Sequence, residues 1–203
     1  MRLAGCEVTN YPTSIATEPM TAPLAQGEIL IRPLTANDAL PLYRAVRASI
    51  DSLSYWLPWC HAGYSEADAA DWTSYCQQAW ESRREFPFGI FDRGGELLGG
   101  VGLSQVDRAN NRANLGYWVA AVHRGKGIAS TAARLAARMG FEQLGFTRIE
   151  IVVLVDNIAS HQVAEKLGAT REAEARNRLV FQGRPADAVV YSLIPGDLAA
   201  SGG

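Results

Sequence analysis

The sequence predicts an α/β (α+β) domain: a central, mixed but mostly antiparallel sheet with helices on both faces. Three observations predict it. Turn signals at Asp92-Arg93-Gly94-Gly95 and from Arg108 to Asn111 join three strand-like runs into an antiparallel meander. The near-continuous apolar run within Arg148 to Val155 reads as a strand buried on both faces of a sheet. Between meander and buried strand stands a helical pattern opened by the glycine-bearing turn Arg124-Gly125-Lys126-Gly127.

Taken in order, residues 1–26 are rich in Thr, Pro and Ala without a period. They read as an N-terminal extension to a single domain over 27–196, with 197–203 as a C-terminal tail. Glu28 to Arg32 is a strand stopped by Pro33. Thr35 and Asp38, at capping-box spacing, open a helix through Leu40, Leu42, Tyr43 and Val46. Tyr55-Trp56-Leu57-Pro58-Trp59 follows as an aromatic loop, and Ser65 begins a helix running towards Glu85. Trp72 and Trp80 on that helix are expected in the core. Strands follow at Phe86 to Phe91, Leu97 to Val106 and Ala113 to Val119, then a helix from Gly127 to Leu144 that ends near Gly145. After the buried strand, Asp156 or Asn157 caps a short helix closed by Gly168. Leu179 to Phe181 and Ala188 to Leu193 flank Gln182-Gly183-Arg184-Pro185 as a last hairpin.

Composition narrows the function classes. A formal net charge of -2 over 203 residues leaves no basic footprint, so no nucleic acid or membrane partner is expected. No apolar run approaches the roughly 20 residues that a bilayer span needs. Cys6, Cys60 and Cys76 match no zinc or redox spacing and read as reduced thiols of a cytoplasmic protein. Leu3-Ala4-Gly5-Cys6 has the look of a lipoprotein cleavage site, but only two residues precede it and no apolar signal core exists. His61, His123 and His161 form no cluster, so no metal is expected.

The turn before Ser130 aims unpaired backbone N–H groups and the positive end of a helix dipole at one small volume, which suits phosphate. Two phosphate motifs fail there. A P-loop needs Ser or Thr directly after its lysine, whereas Lys126 is followed by Gly127 and Ile128. A dinucleotide fingerprint needs a third glycine where Ser130 stands, and belongs on the first strand of a parallel unit. Here the motif lies mid-chain, after an antiparallel meander, and that late position argues against a nicotinamide-dependent oxidoreductase. The pattern Arg-x-x-Gly-x-Ala at Arg124, Gly127 and Ala129 instead resembles the coenzyme A signature of the Gcn5-related N-acetyltransferases, the GNAT family. The element order over residues 28–194 is similar to that family too. Asn114-Leu115-Gly116-Tyr117-Trp118-Val119, Trp56-Leu57-Pro58-Trp59, Asn157-Ile158-Ala159-Ser160 and Ala164-Glu165-Lys166-Leu167-Gly168-Ala169 resemble the branch of ribosomal-protein alanine and serine N-acetyltransferases.

The resemblance implies a sheet splayed between its fourth and fifth strands, with acetyl-CoA as cosubstrate and no metal. The implied partners are acetyl-CoA and a peptide or small-molecule amine, in a monomer or homodimer. A protein N-terminal α-amine is the first reading. A small-molecule amine and a catalytically weak acetyl-CoA sensor are the alternatives. By resemblance, the backbone of Gly125, Lys126, Gly127, Ile128 and Ala129 holds the pyrophosphate, with charge from Arg124 and Lys126. The Val119 backbone N–H polarises the thioester carbonyl, Asn157 contacts the pantetheine arm, and Ser160 gives a proton to the leaving thiolate. Trp56 and Trp59 lie on the acceptor side. Many relatives carry a glutamate on the fourth strand, where this chain has Asn114 and Leu115, so Glu172 and Glu174 are the weak base candidates. A protein α-amine has a pKa of about 7.7–8.0 against about 10.4 for lysine, so lack of a strong base favours the α-amine.

Overall fold

The computed structural model describes residues 23–199; Cys6 lies outside them. The chain enters through a hairpin of β1 (Leu24–Gln26) and β2 (Ile29–Arg32), turned at Gly27 with φ +59°. The sheet thus begins at Leu24, inside the stretch read as extension, because three residues are too few to show strand alternation. A 3-10 turn leads into α1 (Ala39–Arg47). Asp38 holds this corner: its carboxylate accepts the Thr35 N–H at 2.7 Å and pairs through both oxygens with Arg32. Burial pushes its carboxyl up, but these bonds outweigh burial and keep it below the usual carboxylate range.

The aromatic segment expected as a loop begins inside a helix, α2 (Ile50–Trp56), which buries Leu53. Its seven residues, with serines at 52 and 54, carry too little periodicity to announce it. Helix α3 (Glu66–Glu81) starts where expected, with Ser65 and Asp68 forming a reciprocal capping box. The two helix tryptophans part company. Trp80 packs edge-on to Phe86 and Phe88, with its Nε1–H donating to Pro87 C=O at 2.7 Å. Trp72 is not a core residue: it is 43% exposed and stacks on Tyr75. At about 100° per residue, eight positions leave the two side chains some 80° apart, so they do not share a face.

The meander follows as β3 (Phe86–Asp92), β4 (Leu97–Asp107) and β5 (Arg112–Val119). Next come α4 (Ile128–Glu142), β6 (Arg148–Leu154), α5 (Ile158–Lys166), β7 (Thr170–Phe181), β8 (Arg184–Leu193) and α6 (Pro195–Ala199). Among the described residues eight strands lie in the order β1-β2-β3-β4-β5-β6-β8-β7, and only β5–β6 is parallel. The last hairpin is far longer than its apolar text. β7 is an edge strand exposed along most of its length, so its Arg-Glu-Ala-Glu-Ala-Arg run shows no buried alternation.

Helices α1–α3 cover one face through Leu42, Val46, Leu53, Ala69 and Cys76. Helix α4, with α5 beside it, covers the other through Ala132, Leu135, Ala136 and Met139. Gly140 permits that approach: a Cβ there would sit 2.8 Å from Leu103 and 3.0 Å from Ile149. Cys60 and Cys76 are buried free thiols, and burial lifts Cys76 to about 12.

Strands β5 and β6 are the fourth and fifth of the expected count once the β1 edge strand is set aside. They pair only from Arg112↔Arg148 to Asn114↔Glu150, then diverge. Asp107, Arg112, Glu150, Arg148 and Glu172 form an ionic ladder across the closed end. The open end is a gap with Val119 on one lip and Leu154 on the other.

Candidate active site

The gap owes its chemistry to ladder parity. Ala120 N–H donates to Leu98 C=O at 2.8 Å, so Val119 and Gly99 are a non-hydrogen-bonded pair in the β4–β5 ladder. The N–H and C=O of Val119 therefore point to the other edge of β5, towards β6, which has already turned away. Tyr117 and Leu115 share that parity through Val101 and Leu103. The β5 edge thus presents backbone donors and acceptors to the gap like an unfinished sheet. Arg124 caps one of them, its Nε donating to Val119 C=O at 3.3 Å.

At the lip, the chain passes through Ala121–His123, where Ser49 Oγ accepts the Ala121 N–H at 2.9 Å, and reaches the glycine turn. Gly125 and Gly127 both take positive φ, +75° and +76°, conformations that favour glycine. The first helical bond of α4 is Thr131 N–H to Gly127 C=O, 3.1 Å. The N–H groups of Ile128, Ala129 and Ser130 precede it and are free of i−4 partners. Lys166, at the end of α5, joins Arg124 and Lys126 here: a Cβ on Gly127 would lie 3.4 Å from its Nζ. Free donors, glycines without Cβ and three cations fit a pyrophosphate. Lys166 was not legible as a partner of this turn, since α4 and β6 separate the two in sequence.

Across the gap, Asn157 caps α5, its Oδ1 accepting the Ser160 N–H at 3.2 Å. Ser160 Oγ lies 2.9 Å from the Tyr117 hydroxyl, which also donates to Ser160 C=O at 3.1 Å. In that arrangement the phenol oxygen is left to accept the Ser160 O–H. Burial pushes the Tyr117 hydroxyl up to about 12, so it stays protonated at neutral pH. Sequence reading missed Tyr117; its alternation with Leu115 and Val119, towards α5, was the available signal.

The base candidates lie elsewhere. Glu172 sits beside Arg148 at the closed end, six residues and about 20 Å of strand from Leu154. Arg148, then the Ser192 hydroxyl, hold its carboxyl down at about 2. Glu174 meets Arg171 at 3.3 Å on the exposed edge strand.

On the α1–α3 face, Pro87 and Gly89 of β3, Gly100 and Gly102 of β4, and Gly116 of β5 fall in register on one face. The glycines add no side chains of their own: Leu34 and Phe91 fill the space over Gly89, Trp118 covers Gly100, and beneath the helices a cavity of about 630 Å³ remains. Trp59 lines it, edge-on to Trp118; Trp56 does not, and stacks on Phe181. Asp68, Asp71, Trp72 and Tyr75 of α3 line it as well. Their spacing of three and four along one helix was the signal that could have found them.

The histidines are apart. His61 lies 3.9 Å from Asp68, His123 contacts Glu96, and His161 is bonded at both ring nitrogens to Tyr191 and Val155. Among the described residues no group of three or more His, Cys, Asp or Glu could hold a metal, and no helix is long and apolar enough to cross a membrane.

The model of the acetyltransferase (GNAT) domain matches residues 28–170. The chain belongs to the GNAT family. It is 32% identical over 172 residues, 82% of this chain and 91% of the other, to YdaF of Bacillus subtilis (strain 168), named provisionally as a ribosomal N-acetyltransferase. It is 25% identical to spermidine N(1)-acetyltransferase of Escherichia coli (strain K12), covering 79% of this chain and 83% of that one. Among solved structures, Mycobacterium smegmatis RimJ in complex with CoA-disulfide is 27% identical with a TM-score of 0.75, over 87% of this chain and 88% of that chain. The GNAT family uses acetyl-CoA, and this chain is an acetyl-CoA-dependent N-acetyltransferase.

Proposed function

We propose that this GNAT enzyme acetylates a protein N-terminal α-amine. Acetyl-CoA supplies the acetyl thioester. The glycine turn with Arg124, Lys126 and Lys166 anchors its pyrophosphate, and the free edge of β5 and the Asn157 amide align its pantetheine arm. Val119 N–H faces the developing oxyanion. The neutral amine forms the C–N bond as the C–S bond breaks, and the proton its nitrogen loses is returned through Ser160, held in place by Tyr117, to the leaving thiolate.

The observation that carries the acceptor reading is the equipment of the gap. It offers a hydroxyl pair, Ser160 and Tyr117, while Glu172 and Glu174 are tied to arginines away from it. With both base candidates engaged elsewhere, the amine's own pKa decides: one of about 7.7–8.0 is far more often neutral at pH 7.5 than one near 10.4. The similarity to YdaF, named for a ribosomal acceptor, supports a protein amine. A small-molecule amine is the second reading, favoured by the similarity to the spermidine enzyme.

The test is a pair of matched peptides, one with a free N-terminus and blocked lysine, the other the reverse. The first should react faster at pH 7.5, and the gap should narrow towards pH 9 as the lysine's neutral fraction grows. A clear lysine preference at pH 7.5 would overturn the α-amine reading.

A further inference from the structure

The cavity under α1 and α3 is more selective than a general amine site requires. Asp68, Asp71, Trp72 and Tyr75 fall at i, i+3, i+4 and i+7, so one face of α3 brings two carboxylates and two aromatic rings to it. Glu85, just beyond the helix, adds a third carboxylate, which accepts the Tyr75 hydroxyl at 2.8 Å. Asp68 is engaged by Ser65, while Asp71 has no hydrogen bond or ion pair among the described residues. Among the described residues no lysine or arginine lines the cavity.

The rings are equally uncommitted. Trp72 and Tyr75 stack with centroids 5.3 Å apart, yet remain 43% and 37% exposed. Open aromatic faces beside Asp71 and Glu85, which form no ion pair among the described residues, offer an ammonium or guanidinium both ion pairing and cation–π attraction. Away from this wall Trp118 lies over Gly100, but the floor is open at Gly116. A Cβ on Gly116 would meet nothing within 4 Å, which leaves an apolar trough for methylene groups.

We infer that the cavity takes an acceptor carrying a second cationic group besides the amine that is acetylated, with Asp71, Glu85 and the Trp72 face recognising that cation. The inference rests on the cavity being the acceptor side of the proposed transfer. Two sources supply this chemistry: a basic side chain close behind a peptide N-terminus, and the second amine of an aliphatic diamine.

The experiment compares kcat/KM for peptides carrying lysine, norleucine or glutamate close behind a free N-terminus, and for a linear diamine against the monoamine of equal length. The dicationic member should win by about tenfold or more, and the advantage should shrink as salt rises. Asp71→Asn combined with Glu85→Gln should bring the ratio near one, with the coenzyme A-induced rise in melting temperature retained as proof of folding. Gly116→Val, which fills the trough, should raise KM for the acceptor with that rise retained. Tryptophan fluorescence titration of the CoA-loaded protein with diamine and monoamine reads the same preference without turnover. Equal binding of the two, or a ratio unmoved in the double variant, would overturn the inference. Diamines reacting with preference while peptides fail would end the α-amine reading and leave the inference standing.

Discussion

Gly127→Val separates the glycine turn's two roles. At φ +76° an L-residue is strained by about 1–2 kcal/mol, so in a chain of this size the ligand-free melting temperature should fall by about 2–8 °C. The new Cβ would stand 3.4 Å from Lys166 Nζ and 3.9 Å from Ser130 Oγ, contacts that a flexible lysine absorbs, so the fold survives. What it occupies is the space in front of the free N–H groups of α4. Coenzyme A at about 100 times Kd stabilises the parent by about 2.7 kcal/mol, or about 5–11 °C. A hundredfold loss of affinity at the same concentration would leave about 0.4 kcal/mol, a shift of about 1–2 °C. Scanning calorimetry with and without coenzyme A reads both quantities. Gly145→Val is the control: its φ is +68° and no atom lies within 4 Å of its Cβ, so it should lose comparable stability and keep the full shift. An undiminished shift in folded Gly127→Val would refute the placement of the pyrophosphate.

Three further outcomes are expected. Ser160→Ala should lower kcat by about 10²-fold or more while the coenzyme A shift persists, and a kcat within twofold of the parent would return the hydroxyl to a local role. Tyr117→Phe removes the 2.9 Å partner of Ser160 and should cost kcat about five- to tenfold, measured at saturating acetyl-CoA; no loss would show that Ser160 needs no holding. Glu172→Gln should leave kcat unchanged but alter acid stability. A carboxyl held at about 2 stabilises the fold fully above its unfolded value near 4.5, and that stabilisation is lost as pH falls from there through 2. Solvent screening of this exposed pair keeps the effect small. Acid unfolding curves that superimpose between pH 4.5 and 2 would contradict it.

How much of this was legible follows from where each signal lives. The capping boxes at Thr35 and Ser65, the meander turns and the apolar β6 run are local or periodic, and each appears within a residue or two of its expected place, although β6 fully buries only Ile149, Ile151 and Val153 and not both faces. The glycine turn was legible because its conformation demands a residue type. Lys166 and the Tyr117–Ser160 pair were not, because each joins elements far apart in sequence. Glu172 shows the reverse: its sequence neighbourhood admitted a base, and only the tertiary ladder with Arg148 spends its charge. The floor glycines, Gly100, Gly102 and Gly116, read singly as breaks in strands. Their meaning lies in a register that brings them onto one face of the sheet.

The gap and the cavity then have a common physical origin. Both are places where the sheet leaves something out: a neighbouring strand along the β5 edge, and side chains along the floor. An unpaired N–H or C=O cut off from water costs about 1–3 kcal/mol, so the open edge at Tyr117 and Val119 is tolerable only while water or an amide-bearing ligand satisfies it. The closed end makes this affordable. The ladder from Asp107 to Glu172 and the unbroken β6–β8 pairing through Leu154↔Ala188 fix the angle at which β6 leaves, so the gap opens without unravelling either strand. A pantetheine arm lying along β5 would extend the sheet where β6 departs, gaining backbone bonds on a strand whose floor also borders the acceptor cavity. On the proposed reading coenzyme and amine would approach β5 from its edge and from its face, and Val119 is where edge and open lip coincide.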